Sequence, residues 1–217
     1  MRLMLVPEIV QALADAEAAV DACQLTARRR SGQFRSDAWA ASAAASAGLD
    51  GSDPRLAAAV LLEVQELANI RSSLLHSLAR LHAAAAVDLP LAERGRPRSD
   101  FTHSARLTGL ADLVATSTAP ALLLAHIAHA DLLSLAPFGS ENGLIARAIW
   151  RGVIVESGLD PTGMVMVEVG LRDLGSAAYA AALSSYESGT PAGVAAWIIH
   201  CSRAVELGVD ALAQLIG

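Results

Sequence analysis

Titratable side chains are sparse in this chain of 217 residues, so those whose spacing suits chemistry stand out. His126 and His129 lie three apart with Asp131 close behind, a spacing that can hold a metal from one helix face. No third ligand of convincing spacing follows, and the pair reads as core or loop-facing histidines. His76 and His82 are six apart, on different faces of a helix, and read as surface residues. Arg94, Arg96 and Arg98 alternate in a stretch with Gly95 and Pro97; such a set can hold an anion, and by default it is a solvated loop. Ser46, His129 and Asp131 make no recognisable nucleophile set. Cys23 and Cys201 are too few for a disulfide framework or a zinc site, and are expected as buried thiols in a reducing compartment. Met164 and Met166 are too few for a Met-rich binding surface and are expected at a core edge. The remaining segment is Ala136 to Arg147, APFGSENGLIAR, a turn-rich loop running into a helix.

The elements that must position these residues are helices. Apolar residues make up 53% of the chain and aromatics only 4%, with Ala abundant. Ala has the best helix propensity, whereas a β-rich fold wants more β-branched and aromatic residues. The length suits a single domain, since single cores run to roughly 200 residues. The charge is −6, lysine is absent, and the one basic run (Arg28, Arg29, Arg30, Arg35) is short. Broad nucleic-acid affinity is therefore not expected, because it rests on neutralising phosphates. The apolar stretch Ala121 to Leu135 falls short of the roughly 20 residues that span a bilayer, and Met1 to Val6 lacks the features of a signal peptide. No membrane association is expected, and a cytoplasmic setting is.

Pro7 opens a first helix with Ile9, Leu13, Ala16, Val20 and Cys23 on one face, closed by the Arg28–Arg35 stretch with Gly32. Ser36 is expected to cap a second, Ala-rich helix from Asp37 to Ala47. The chain divides on this basis into an N-terminal helix (1–35) and a main unit (36–217). Helices follow over Leu56–Ile70, from Ser72 or Ser73 to about Val87, Ala105–Ala115, Ala121 to about Ser134, Leu144–Glu156, Leu171–Ser188 and Pro191–Ile216. Asp88 to Ser104 reads as a loop, and Met164–Gly170 is ambiguous between strand and helix.

APFGSENGLIAR resembles the signature of the Fic (Fido) family, His-Pro-Phe-x-x-Gly-Asn-Gly-Arg-x-x-Arg, with Pro137, Phe138, Asn142, Gly143 and Arg147 in register. His129 stands seven residues ahead of the signature's first position, where the family has a His. Gly158-Leu159, the helix bearing Tyr179 and Tyr186, and the closing helix with Trp197 extend the likeness over roughly residues 37–210. The resemblance implies an all-α Fic fold and transfer of AMP from ATP to a protein hydroxyl. Such phosphoryl chemistry depends on positioning and charge stabilisation. A loop entering a helix N-terminus offers N–H groups to phosphates. The resemblance makes Phe138, Asn142, Gly143 and Arg147 the nucleotide- or phosphate-binding residues, and ATP with Mg²⁺, weakly held, the one cofactor.

The departures fall on the residues that do most. Ala136 stands at the general-base position and cannot take a proton, a loss worth roughly 10²–10⁴-fold in rate. Leu144 replaces a phosphate-clamping Arg. Glu141 replaces a Gly and sets a negative charge beside the expected phosphates. The β-hairpin flap that docks target strands is expected to be shortened or missing, since Ser99 to Ala105 is too short for two strands. One regulatory feature remains. Ser46-Ala47-Gly48-Leu49-Asp50-Gly51 follows the spacing of the family's inhibitory helix, Ser/Thr-x-x-x-Glu-Gly/Asn, placed here at 37–51. Ser46, Asp50 and Gly51 are its inhibitory residues, and an ion pair of Asp50 with Arg147, direct or through water, is expected.

The leading reading is a degenerate Fic-type protein with little or no AMP transfer and no catalytic residue at Ala136, serving as a binding or regulatory module. The alternative is an active nucleotidyl- or phosphotransferase in which Glu141 supplies the base or contacts a metal. A third is a structural helical protein that forms a homodimer or binds another protein.

Overall fold

The computed structural model describes residues 2–217; Met1 of the Met1–Val6 stretch lies outside them. Among the described residues the chain is helical and contains no strand. After a single 3₁₀ turn, nine α-helices follow: α1 Pro7–Asp50, α2 Pro54–Glu66, α3 Leu74–Ala85, α4 Ser104–Thr116, α5 Ala121–Leu135, α6 Asn142–Glu156, α7 Val167–Leu174, α8 Ser176–Glu187 and α9 Pro191–Ile216.

Helix α1 departs from expectation. It runs unbroken through Gly32 and Ser36 for 44 residues, about 66 Å at 1.5 Å per residue. A lone Gly costs about 1 kcal/mol in a helix interior, and no proline accompanies it, so tertiary contacts along the helix prevail. The inhibitory-type stretch 37–51 is thus the last third of α1 rather than a helix of its own. Gly51, at φ +67°, ends it in a left-handed turn, its N–H bonded to the Ala47 carbonyl. Asp53 caps α2 through the Arg55 N–H at 2.8 Å, with Pro54 in the first turn.

Two further boundaries move. The ambiguous Met164–Gly170 run opens α7, and the helix expected over Leu171–Ser188 is split at Gly175, whose φ of +93° turns the chain. Gly170 lets α7 lie on α9, since a Cβ there would stand 1.9 Å from the Ala204 carbonyl oxygen.

Helices α5 and α6 form the centre of the fold. Both are buried nearly all round, with Leu122 to Ala125 and Leu144 to Ile154 closed off from solvent. A helix apolar on every side needs neighbours on every side. Here they come from α1 and α2 against α6, α4, α8 and α9 against α5, and α3 against α6. Ser99 to Ala105, where the flap would have to fit, forms no strand and runs directly into α4.

Candidate active-site loop and the α1–α6 seam

The last turns of α1 meet the first turns of α6 in antiparallel register. Ser42, Ser46 and Asp50 recur every four residues along one stripe of α1; Gly143, Arg147 and Arg151 do so along α6. Arg147 is fully buried. Its Nε donates to Ser46 Oγ at 2.8 Å and its Nη2 to the Ser46 carbonyl at 2.9 Å. Its two terminal nitrogens reach the Asp50 carboxylate, Nη1 to Oδ1 at 3.2 Å and Nη2 to Oδ2 at 2.5 Å. Asp50, although a methylene shorter than the Glu of the resembling motif, thus makes direct contact with no water between. Burial alone would lower the Arg147 pKa; Tyr179 and Asp50 outweigh it, and the guanidinium stays charged.

Gly143 makes this approach fit. A Cβ on Gly143 would lie 2.2 Å from Asp50 Oδ2 and 2.7 Å from Oδ1. The carboxylate therefore rests against the first turn of α6, where the helix carries partial positive charge. An anion arriving at this turn meets a negative charge already in place.

The loop before α6 is held from within. Asn142 closes it with two hydrogen bonds to the Phe138 main chain, accepting from N at 2.9 Å and donating to O at 2.7 Å. Phe138 is buried and stacks on the His82 ring, centroids 4.1 Å apart. Phe138 and Asn142 thus fix the loop's shape. Ala136 ends α5 at φ +42°, and Glu141 precedes α6 at φ +58°. Both are left-handed positions that disfavour Ala and Glu, while His tolerates such a backbone better and Gly best. Burial, with Asp88 second, pushes the Glu141 carboxyl up, and its Oε2 has no partner. Leu144 does not face the loop: it is 2% exposed in an apolar cluster with Trp39, Ala43, Ala47, Ala57 and Leu61.

Several residues fall elsewhere than expected. His82 is buried rather than on the surface, because segment 86–103 folds over α3 and Gly95 N–H bonds to its Nδ1 at 3.1 Å. Cys23 is only half-buried, since α1 and α9 leave a groove beside it; Cys201 is buried, and both are free thiols. His126 and His129 lie in the core. Trp150 Nε1 donates to His126 Nδ1 at 3.0 Å, and His129 Nε2 pairs with Tyr179 OH at 2.8 Å. Burial drives the His126 pKa down to about 3 and that of His129 well below its ordinary value. No group of three His, Cys, Asp or Glu side chains among the described residues could hold a metal.

One pair escaped the sequence reading. Arg151, one turn beyond Arg147, is buried against the fully buried Glu168. It donates from Nε to Oε1 at 3.0 Å and from Nη2 to Oε2. It also donates to Ser42 Oγ at 2.9 Å and to the Gly163 carbonyl at 2.6 Å, with its Cζ over the Trp39 ring, 5.2 Å from the centroid. The matching spacing of Ser42-Ser46-Asp50 and Gly143-Arg147-Arg151 was the available signal.

No family model matches the sequence, and no curated protein matches it. Solved structures do match the fold. A Fic family protein from Desulfovibrio desulfuricans superposes with a TM-score of 0.81 at 17% identity, over 96% of this chain and 75% of that one. Fic-1 from C. elegans superposes with a TM-score of 0.65 at 18% identity, over 94% of this chain and 72% of that one. The architecture of this chain is the Fic helical fold. No helix among the described residues is long and apolar enough to cross a membrane.

Proposed function

We propose that this Fic-fold chain transfers little or no AMP and works as a binding or regulatory module, its phosphate place occupied by its own Asp50. The observation that supports this reading is the two-pronged contact of Asp50 with buried Arg147, seated where Gly143 leaves room at the α6 N-terminus. With Asp50 there, the residues present do not fit a nucleotide triphosphate: the donors of Arg147 are taken and the cradle is filled. ATP with Mg²⁺ binds only weakly, after Asp50 is displaced. Ala136 offers no proton acceptor in either case. Such a module acts through a protein contact, with another chain or a second copy of itself, in a cytoplasmic, reducing setting suited to its free thiols.

The test compares wild type with Asp50→Gly by calorimetric titration of ATP with Mg²⁺, alongside incubation with labelled ATP. The expected result is ATP affinity at least about tenfold higher in the variant, since a buried charge contact no longer competes. Covalent label is expected in neither protein. Label on the wild-type chain or a partner, or unchanged affinity in Asp50→Gly, overturns the reading.

One observation favours the transferase alternative. Burial and, second, Asp88 push the Glu141 carboxyl up, and its Oε2 lacks a partner. If Glu141 is the base, wild type labels and Glu141→Gln does not.

A further inference from the structure

Segment 86–103 is held as a wall. Gly95, at φ +74°, sits so close to α3 that a Cβ would stand 2.8 Å from the Ala79 carbonyl oxygen, and its N–H bonds to His82. Arg94 donates from Nε to the Leu89 carbonyl at 2.9 Å and from Nη2 to the Val87 carbonyl at 2.5 Å. Arg98 ties the segment to the loop before α6: its N–H donates to the Pro137 carbonyl at 2.9 Å and its Nε to the Ala136 carbonyl at 3.2 Å.

Between this wall and the loop at Gly139–Ser140 lies a cavity of about 640 Å³. That size is typical of small-molecule sites, which run to roughly 300–1,000 Å³. Arg96, Arg98, Ser99 and Ser140 bring donors to it, and Leu89 and Pro97 supply apolar wall. The guanidinium of Arg96 has no partner among the described residues, whereas that of Arg98 is shared with Asp100. His82 also lines the cavity. Because its Nδ1 accepts from Gly95, its proton sits on Nε2, and that buried N–H has no partner.

We propose that this cavity binds a phosphomonoester with a hydroxyl-bearing body. Two guanidinium groups and two hydroxyls are more donors than a carboxylate's two oxygens can serve, and they suit the oxygens of a phosphate. Glu93, on the same cavity, is acidic and has no partner; it takes hydroxyl donors from the ligand's body and works against a bare polyanion. The site uses none of Asp50, Gly143 or Arg147 and stands independently of the function proposed above.

The test is calorimetric titration of the full chain with glucose 6-phosphate, glucose and inorganic phosphate. Glucose 6-phosphate is expected to bind and glucose not to. Arg96→Ala, at an exposed position that leaves folding intact, is expected to weaken binding at least about tenfold, as loss of a charge-assisted phosphate contact does. Arg203→Ala, an exposed arginine on α9 that does not line the cavity, is expected to leave it unchanged. Absence of binding at millimolar glucose 6-phosphate, equal affinity in Arg96→Ala, or binding of inorganic phosphate alone overturns the assignment.

Discussion

Ser42 Oγ meets Arg151 at 2.9 Å one helical turn from where Ser46 Oγ meets Arg147 at 2.8 Å, so α1 and α6 are joined by the same contact made twice. The two rungs differ in their acids. Arg151 answers to Glu168 on α7, fully enclosed, while Arg147 answers to Asp50, which is partly open to solvent. One rung is sealed from solvent at both partners and the other only at its arginine.

That difference predicts unequal costs. Glu168→Ala leaves Arg151 buried without its acid and should destabilise the chain by roughly 3–5 kcal/mol. Asp50→Ala leaves Arg147 its two Ser46 contacts and should cost about 1–3 kcal/mol. Urea denaturation of both variants checks the order; an Asp50 variant costing more than the Glu168 variant contradicts it.

Gly143→Ala should reverse its sign with its neighbour. In wild type the new methyl overlaps Asp50 and should cost about 1–2 kcal/mol. In the Asp50→Gly background the overlap is gone, and Ala gains up to about 1 kcal/mol of helix propensity. A double-mutant cycle on the four proteins measures the coupling; additive effects would mean the carboxylate does not rest there.

Ala136→Gly should stabilise. Its backbone at φ +42° costs an L-residue about 1 kcal/mol that Gly does not incur. A rise in Tm of about 2–4 °C in a thermal melt is expected for a chain of this size.

Acid should destabilise the chain through its core histidines. Folding depresses the His126 pKa from 6.5 to about 3, so the unfolded state binds the extra proton. His126 therefore contributes stability that is full above about pH 6.5 and is lost as pH falls towards 3. The loss should be roughly 1–2 kcal/mol per buried histidine between pH 7.5 and 5, with His129 acting in the same direction. Urea midpoints across that range check it, and His126→Asn should flatten the slope.

Leu144 limits one otherwise natural repair. Replacing it with Arg to match the resembling signature would bury a charge among Trp39, Ala47 and Leu61 rather than point it at a phosphate. Ala136→His with Glu141→Gly suits the backbone better, because both positions are already left-handed.

What the sequence determined by itself follows from local chemistry. Ala-rich composition and apolar periodicity set the helices, Pro7 and Pro191 set helix starts, and the resemblance of 136–147 and 46–51 to the Fic motifs pointed to the loop and to the Asp50–Arg147 pair. Only the tertiary structure decided the rest. Whether α1 breaks at Gly32 depends on neighbours along its length, because a deficit of about 1 kcal/mol is within reach of packing. His82 was placed by a loop folding over it, and Arg151 was matched to Glu168 by the docking of α7. Burial and pairing between distant segments are long-range terms, and periodicity along one chain carries no record of which faces will meet.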